Sequence, residues 1–107
     1  MVVCDRDHVI AVAGIPKKEL LERRVSAALE DYMDQRKPFH YVSPDSPRIQ
    51  PVEGVDRFAI SGAPIITNGD VCGSIMLLGE NPDTLAGDTE IKLITTAAAF
   101  LGKQMEE

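Results

Sequence analysis

Apolar positions are densest between residues 58 and 78, in the stretch FAISGAPIITNGDVCGSIMLL. Two apolar runs meet there across Asn68-Gly69. A type I′ turn needs positive φ at both central residues, which Asn and Gly reach most easily, so the pair predicts a tight β-hairpin. The runs are rich in Ile, Val and Leu and alternate only weakly, the pattern of strands covered on both faces. A sheet of that kind needs layers above and below it, and the flanking segments are the candidates. Pro64 has no N–H to give a ladder, which predicts an edge position or a bulge. Gly62 and Gly73 leave gaps on the sheet surface, either for close packing or for a ligand.

Upstream, the chain opens in Val2-Val3-Cys4, crosses the polar Asp5-Arg6-Asp7-His8 and enters a second apolar run at residues 9–13. A hairpin closed by Gly14 is the expectation. An opening inside an apolar run suits a fragment, with Met1 supplied at a cut end. Pro16 suits a first helical position, with Lys17, Lys18 and Glu19 behind it. Val25, Ala28, Leu29, Tyr32 and Met33 recur at helical spacing, with Glu30, Asp31, Asp34 and Gln35 facing outward. Leu21 extends the stripe backwards and allows one long helix. Ser26 as an N-cap gives two instead, and we favour two. The segment ends near Lys37-Pro38, because the residue before proline is pushed out of the helical region.

Residues 39–42 are aromatic and β-branched, a short strand. Residues 43–56 hold Pro44, Pro47, Pro51 and Gly54 and predict a long loop with a brief extended piece near Ile49. Loops of this length in compact domains are often binding loops or lids. Residues 81–88 form a polar connection containing Pro82 and Gly87. Ile91, Ile94, Ala98, Leu101 and Met105 then follow helical spacing, with Asp88 and Glu90 at the end where the macrodipole favours negative charge. Leu93, Ala97 and Phe100 add a second apolar strip. One side suits the sheet; the other is open to core burial or to a partner helix, which Ala97-Ala98-Ala99 would let come close.

Length and charge narrow the function. At 107 residues the chain is one domain, residues 1–107, that buries about 65% of its surface on folding. Its longest apolar run falls far short of the roughly 20 residues that span a bilayer, and no signal peptide is visible. Two cysteines, Cys4 and Cys72, are too few for a disulfide framework, which makes a reducing cytoplasm the default. The net charge is −6. Lys17-Lys18, Arg23-Arg24 and Arg36-Lys37 are interleaved with acids and read as solvated helix faces, so this piece alone should not bind DNA.

Candidate chemistry is thin. Cys4, His8, His40 and Cys72 are the soft-ligand candidates, but none forms the paired short motif of a zinc site. Solvent-facing histidines and buried thiols are the expected states, with Cys72 in the middle of an apolar strand where burial raises a thiol pKa. Asp5 and Asp7 read as turn chemistry. Neither a Walker A loop nor G-x-G-x-x-G occurs. No catalytic residue, metal site or cofactor is expected.

The motifs VVCDRDHVIAVAG, KKELL, MDQR, APIITNGDVCGSI and TAAAFLGKQMEE together resemble the C-terminal regulatory domain of the stage V sporulation protein T family, transcription factors of endospore-forming bacteria. Between Phe39 and Phe58 little of the resemblance is visible. It implies an α+β, GAF-like fold: a central antiparallel β-sheet with helices packed on its faces. It also implies an absent N-terminal, AbrB-like DNA-binding domain, through which alone DNA would be contacted. No Asn-Lys pair of the cyclic-nucleotide-binding GAF branch occurs, and the sulfoxide reductases of this fold use more cysteines than are present here.

Three functions follow as expectations. The first is a regulatory domain responding to an unknown small-molecule effector, with a pocket between the sheet and residues 43–56 lined by Tyr41, Phe58, Ile60 and Ser74. The second is a structural homo-oligomerisation module built on the terminal helices. The third is a thiol redox enzyme using Cys72.

Overall fold

The computed structural model describes residues 1–106 apart from Pro47, Glu80 and Pro82. Five strands form one antiparallel sheet: β1 Val2–Asp5, β2 Val9–Val12, β3 Phe39–His40, β4 Ala59–Thr67 and β5 Asp70–Leu78, in the order β2-β1-β5-β4-β3. Two helices accompany it, α1 Ala27–Gln35 and α2 Asp88–Gln104. The antiparallel α+β architecture implied by the sequence is the one that forms.

The β4–β5 hairpin is its centre. Asn68 and Gly69 turn with φ of 52° and 84°, both positive as the tight turn demands. Alternate residues of β5 then face opposite layers. Met76 packs with Val2, Cys4 and Leu29 and Met33 of α1, while Ile75 packs with Ala63, Ile65 and Ile94 and Ala98 of α2. A helix therefore covers each face, which is why the strands carry apolar residues on both sides.

Pro64 sits where a proline can. Strand β3 pairs only with Ser61 and Gly62, so Pro64 lies beyond its reach on that side of β4, one residue before an irregularity at Ile65/Ile66. The two sheet glycines serve packing and leave no room for a ligand. A Cβ at Gly62 would run into the Phe39 ring, and one at Gly73 into the carbonyl of Cys4.

The first helical region is two segments, though the first is only a 3-10 turn at Lys17–Glu19, with Pro16 just outside it. Ser26 caps α1, its hydroxyl accepting from the Leu29 N–H at 3.1 Å. Because the cap falls there, Val25 stands outside the helix, although buried, and Ala28 faces solvent. The helix ends at Gln35, with Arg36 as its C-cap at φ of 59°, just before the Lys37-Pro38 stop that the proline predicts. The Arg36 guanidinium then donates to the Gly69 carbonyl at 2.7 Å, tying α1 to the hairpin tip.

The strand expected over residues 39–42 is shorter, Phe39–His40. Among its described residues the segment 43–56 is the loop expected, with its one extended contact at Ile49. Ile49 bridges Ala59, while Ile49, Pro51 and Val52 are buried in the α1-side core. The Ser26 N–H donates to the Pro51 carbonyl at 2.8 Å, fastening this segment to the start of α1. The prediction at Pro47 lies outside the described residues. On α2, Ile94 and Ala98 are buried as expected, but Met105 is exposed and follows the helix end. In the second apolar strip Ala97 is partly buried against the α2-side core, while Leu93 and Phe100 face outward at 48% and 61% exposure.

Candidate ligand-binding cavity

Where β4 begins and β5 finishes, the sheet opens into a cavity of about 120 Å³. Its walls come from three stretches: Tyr41 and Arg48 beyond β3, residues 56–60 entering β4, and Gly79, Asn81 and Thr84 leaving β5. Backbone hydrogen bonds lock these stretches together. The Tyr41 N–H donates to the Ile60 carbonyl at 2.7 Å, the Ala86 N–H to the Tyr41 carbonyl at 2.7 Å, and the Gly79 N–H to the Phe58 carbonyl at 3.0 Å. Tyr41, Ile60 and Ala86 close the floor as a small apolar cluster.

Arginine dominates the polar side. The Arg48 guanidinium carbon lies 5.3 Å from the Tyr41 ring centre and 5.0 Å from that of Phe58, within the range where a cation is held by an aromatic face. Its Nε donates to the Tyr41 hydroxyl at 3.3 Å. Arg57 donates from Nη2 to a Glu19 carboxylate oxygen at 2.8 Å, an interaction that steadies the base of the cavity wall. Asp56 contributes one negative charge from an exposed position. The lining thus offers two aromatic faces, two guanidinium groups, a carboxylate and the polar side chains of Asn81 and Thr84.

Of the four residues singled out from sequence, Tyr41, Phe58 and Ile60 line this cavity together. Ser74 does not. It is buried in β5, in register with Cys4 and Pro64, and its hydroxyl donates to the Ala63 carbonyl at 3.1 Å. Sequence reasoning missed Arg48, Asp56, Arg57, Asn81 and Thr84. These lie in non-periodic segments, and the available signal was composition alone: arginines interleaved with aromatic residues between positions 41 and 58.

The thiols and histidines lie elsewhere. Cys4, not Cys72, is the fully buried cysteine, and desolvation pushes its thiol up to about 12. Cys72 is half-buried, with its Sγ 3.4 Å from the Ile65 carbonyl. His40 is not solvent-facing. It is half-buried with Nδ1 2.7 Å from the Ser61 hydroxyl, and desolvation lowers its pKa. Asp5 accepts from the Asp7 and His8 N–H groups at 2.7 Å each, the turn role expected of it, and those bonds hold its pKa down. Among the described residues, no three of His, Cys, Asp and Glu come together as metal ligands. None of the helices described there is long and apolar enough to cross a membrane.

Fold and cavity define a class: a small α+β domain with a sheet covered on both faces and a cavity where β4 begins and β5 ends. Residues 1–106 match the family described as Stage V sporulation protein T C-terminal, transcription factor. The chain is also 38% identical over 109 aligned positions to Stage V sporulation protein T of Bacillus subtilis (strain 168), covering all of this chain and 59% of that protein. This chain belongs to the family of stage V sporulation protein T C-terminal domains. It spans about three fifths of the length of the curated relative it matches.

Proposed function

We propose that this domain is the signal-receiving part of a sporulation transcription factor, altering DNA binding performed by a segment outside the chain. Family membership supports the regulatory role. The observation that carries the sensing role is the cavity at the mouth of the sheet, where Tyr41, Phe58 and Arg48 converge. The two covered faces, with five antiparallel strands between, support a GAF-like assignment. In this reading the domain carries out no catalysis, in keeping with a family of transcription-factor domains, and works in the cytoplasm. A thermal-shift screen of metabolites tests it. A ligand that binds the folded state alone, supplied at 100 times its Kd, stabilises that state by about 2.7 kcal/mol. If no compound stabilises the domain, the sensing role falls and assembly remains.

Assembly is the second reading, and a separate observation favours it. Leu93 and Phe100, seven residues apart and so on one side of α2, are exposed large apolar side chains. A second copy of the chain packing helix against helix would cover both, making the domain a homodimerisation module.

A further inference from the structure

We infer that Asn68-Gly69 is a spontaneous modification site gated by the β4–β5 hairpin, where loss of side-chain ammonia yields isoaspartate and releases the end of α1 from the hairpin tip. The site stands apart from the cavity and from the outer face of α2. It rests on the geometry of the turn, its exposure and its tie to the helix.

Local chemistry selects the position. The chain has two asparagines, Asn68 and Asn81. Pro82 follows Asn81, and its nitrogen has no hydrogen to give up. Gly69 follows Asn68, and without a side chain it leaves its nitrogen open to the asparagine's own Cγ. In that reaction the Gly69 nitrogen bonds to Cγ, the carboxamide nitrogen leaves as ammonia with the Gly69 proton, and a cyclic imide remains. Water then adds to one imide carbonyl and breaks its bond to nitrogen. Cleavage at Cγ gives aspartate; cleavage at the former main-chain carbonyl gives isoaspartate. Asn68, Gly69 and Asp70 are all exposed, and nothing lies within 4 Å of a Cβ placed on Gly69, so water reaches the site freely.

The fold decides when this happens. Asn68 and Gly69 have φ of 52° and 84°, and Thr67 pairs with Asp70 across them, the arrangement of a two-residue type I′ turn. Such a turn holds ψ of its first central residue at about +30°. The Gly69 nitrogen and the Asn68 Cβ then lie on opposite sides of the Cα–C bond, whereas ring closure needs them on the same side. The closed turn therefore protects Asn68, and attack waits for the tip to open. Arg36 opposes that opening, its guanidinium donating to the Gly69 carbonyl at 2.7 Å from the left-handed end of α1. Isoaspartate makes the opening permanent. Its extra main-chain carbon no longer fits a two-residue turn between these strands, and the Gly69 carbonyl moves away from Arg36. Aspartate at the same position keeps the main chain and leaves the tie in place.

The test incubates the whole chain at pH 8, folded and in concentrated urea, and follows residue 68 by mass spectrometry of the digested protein. An isoaspartate-specific carboxyl methyltransferase, used as a reagent, separates the two products. In urea Asn68 should convert while Asn81 does not. The folded chain should convert more slowly by roughly tenfold or more, because the turn is open for only a small part of the time. Arg36→Gly keeps the left-handed cap while removing the guanidinium. It should speed conversion of the folded chain by roughly threefold to tenfold, as loss of one charge-assisted hydrogen bond would, and leave the rate in urea unchanged. Should Arg36→Gly alter the backbone amide spectrum of α1, Arg36→Gln carries the result. In the isoaspartate form the amide signals at the end of α1 should shift, whereas Asn68→Asp should leave them in place. Equal rates in the folded and unfolded chain overturn the gate, and no conversion in urea overturns the site. Rates unaffected by both Arg36 variants, or α1 signals unmoved in the isoaspartate form, overturn the release of the helix.

Discussion

The Nδ1 of His40 lies 2.7 Å from the hydroxyl of Ser61, a side chain with no exposed surface. This contact joins the short strand β3 to β4, and desolvation of the ring lowers the His40 pKa from its ordinary value of 6.5. The folded state therefore resists protonation that the unfolded chain accepts. The stability concerned is present above pH 6.5 and is lost as pH falls below it. Urea midpoints at pH 7.5 and pH 5.5 should fall on acidification in the natural sequence and fall less in His40→Gln. Desolvation also lowers the Met1 amine, from 8.0, and it acts in the same direction at the upper edge of that range, so the difference between the two proteins is the reading that counts. Equal acid sensitivity would remove His40 from the account.

The hairpin turn makes a sharper demand. Gly69 has φ of 84°, a region that costs a residue with a Cβ roughly 1–2 kcal/mol and a β-branched one at least that. Gly69→Val should lower stability by about that amount without changing the denaturant slope. Nothing lies within 4 Å of a Cβ placed there, so backbone conformation rather than collision would be the cause. An unchanged midpoint contradicts it.

Capping of α1 is a local test of how the helical region is divided. Ser26 is buried and its hydroxyl accepts from the Leu29 N–H at 3.1 Å. Ser26→Ala leaves that N–H without a partner and should cost about 1 kcal/mol, whereas Ser26→Asp should keep the bond at the price of crowding. Chemical denaturation of both variants measures the difference.

What the sequence shows follows from whether local chemistry or tertiary assembly decides each feature. Asn68-Gly69 announces its turn because few residue pairs adopt that backbone, and Ser26 announces α1 because its oxygen satisfies a specific N–H. Ile49 near a short extended piece was legible for the same kind of reason. The cavity was legible only in part. Tyr41, Phe58 and Ile60 are aromatic or apolar residues flanking the long loop, so their convergence is what a loop folding onto a sheet produces. Ser74 fails because strand alternation near Gly73 hides which neighbour its hydroxyl meets, and that neighbour is the Ala63 carbonyl. Arg48 and Arg57 carry no periodic signal at all. Their position depends on how residues 43–56 cross the sheet, with Ile49, Pro51 and Val52 anchored in the core.

Cysteine reactivity separates regulation from redox chemistry. Cys4 is 1% exposed with a thiol pushed up to about 12, so almost none of it is thiolate at neutral pH. Iodoacetamide at pH 8 should label Cys72 in the native protein and reach Cys4 only on unfolding, read by mass spectrometry of the digested chain. Because the folded thiol resists ionisation, its contribution to stability is lost as pH rises above the unfolded value of 9.0. A Cys4 labelled as fast as Cys72 would mean that the α1-side core opens far more readily than its packing implies. A Cys72→Ala variant that kept every regulatory activity would dispose of the thiol enzyme.

The outer face of α2 tests assembly directly. Phe100 is 61% exposed in the isolated chain, so replacing it costs little folding free energy, within about 0.5 kcal/mol. In a helix-to-helix dimer the same ring would be buried, and a charge in its place would be desolvated without a partner. Phe100→Glu should therefore leave the thermal midpoint of the dilute protein unchanged and convert a dimer to a monomer in sedimentation velocity at micromolar concentration. Leu93→Glu should act in the same way from the other end of the strip, while Lys103→Glu, near the end of the helix, should weaken association less. If the natural sequence sediments as a monomer throughout that range, Leu93 and Phe100 do not hold a twin and the proposed sensing role alone must account for regulation.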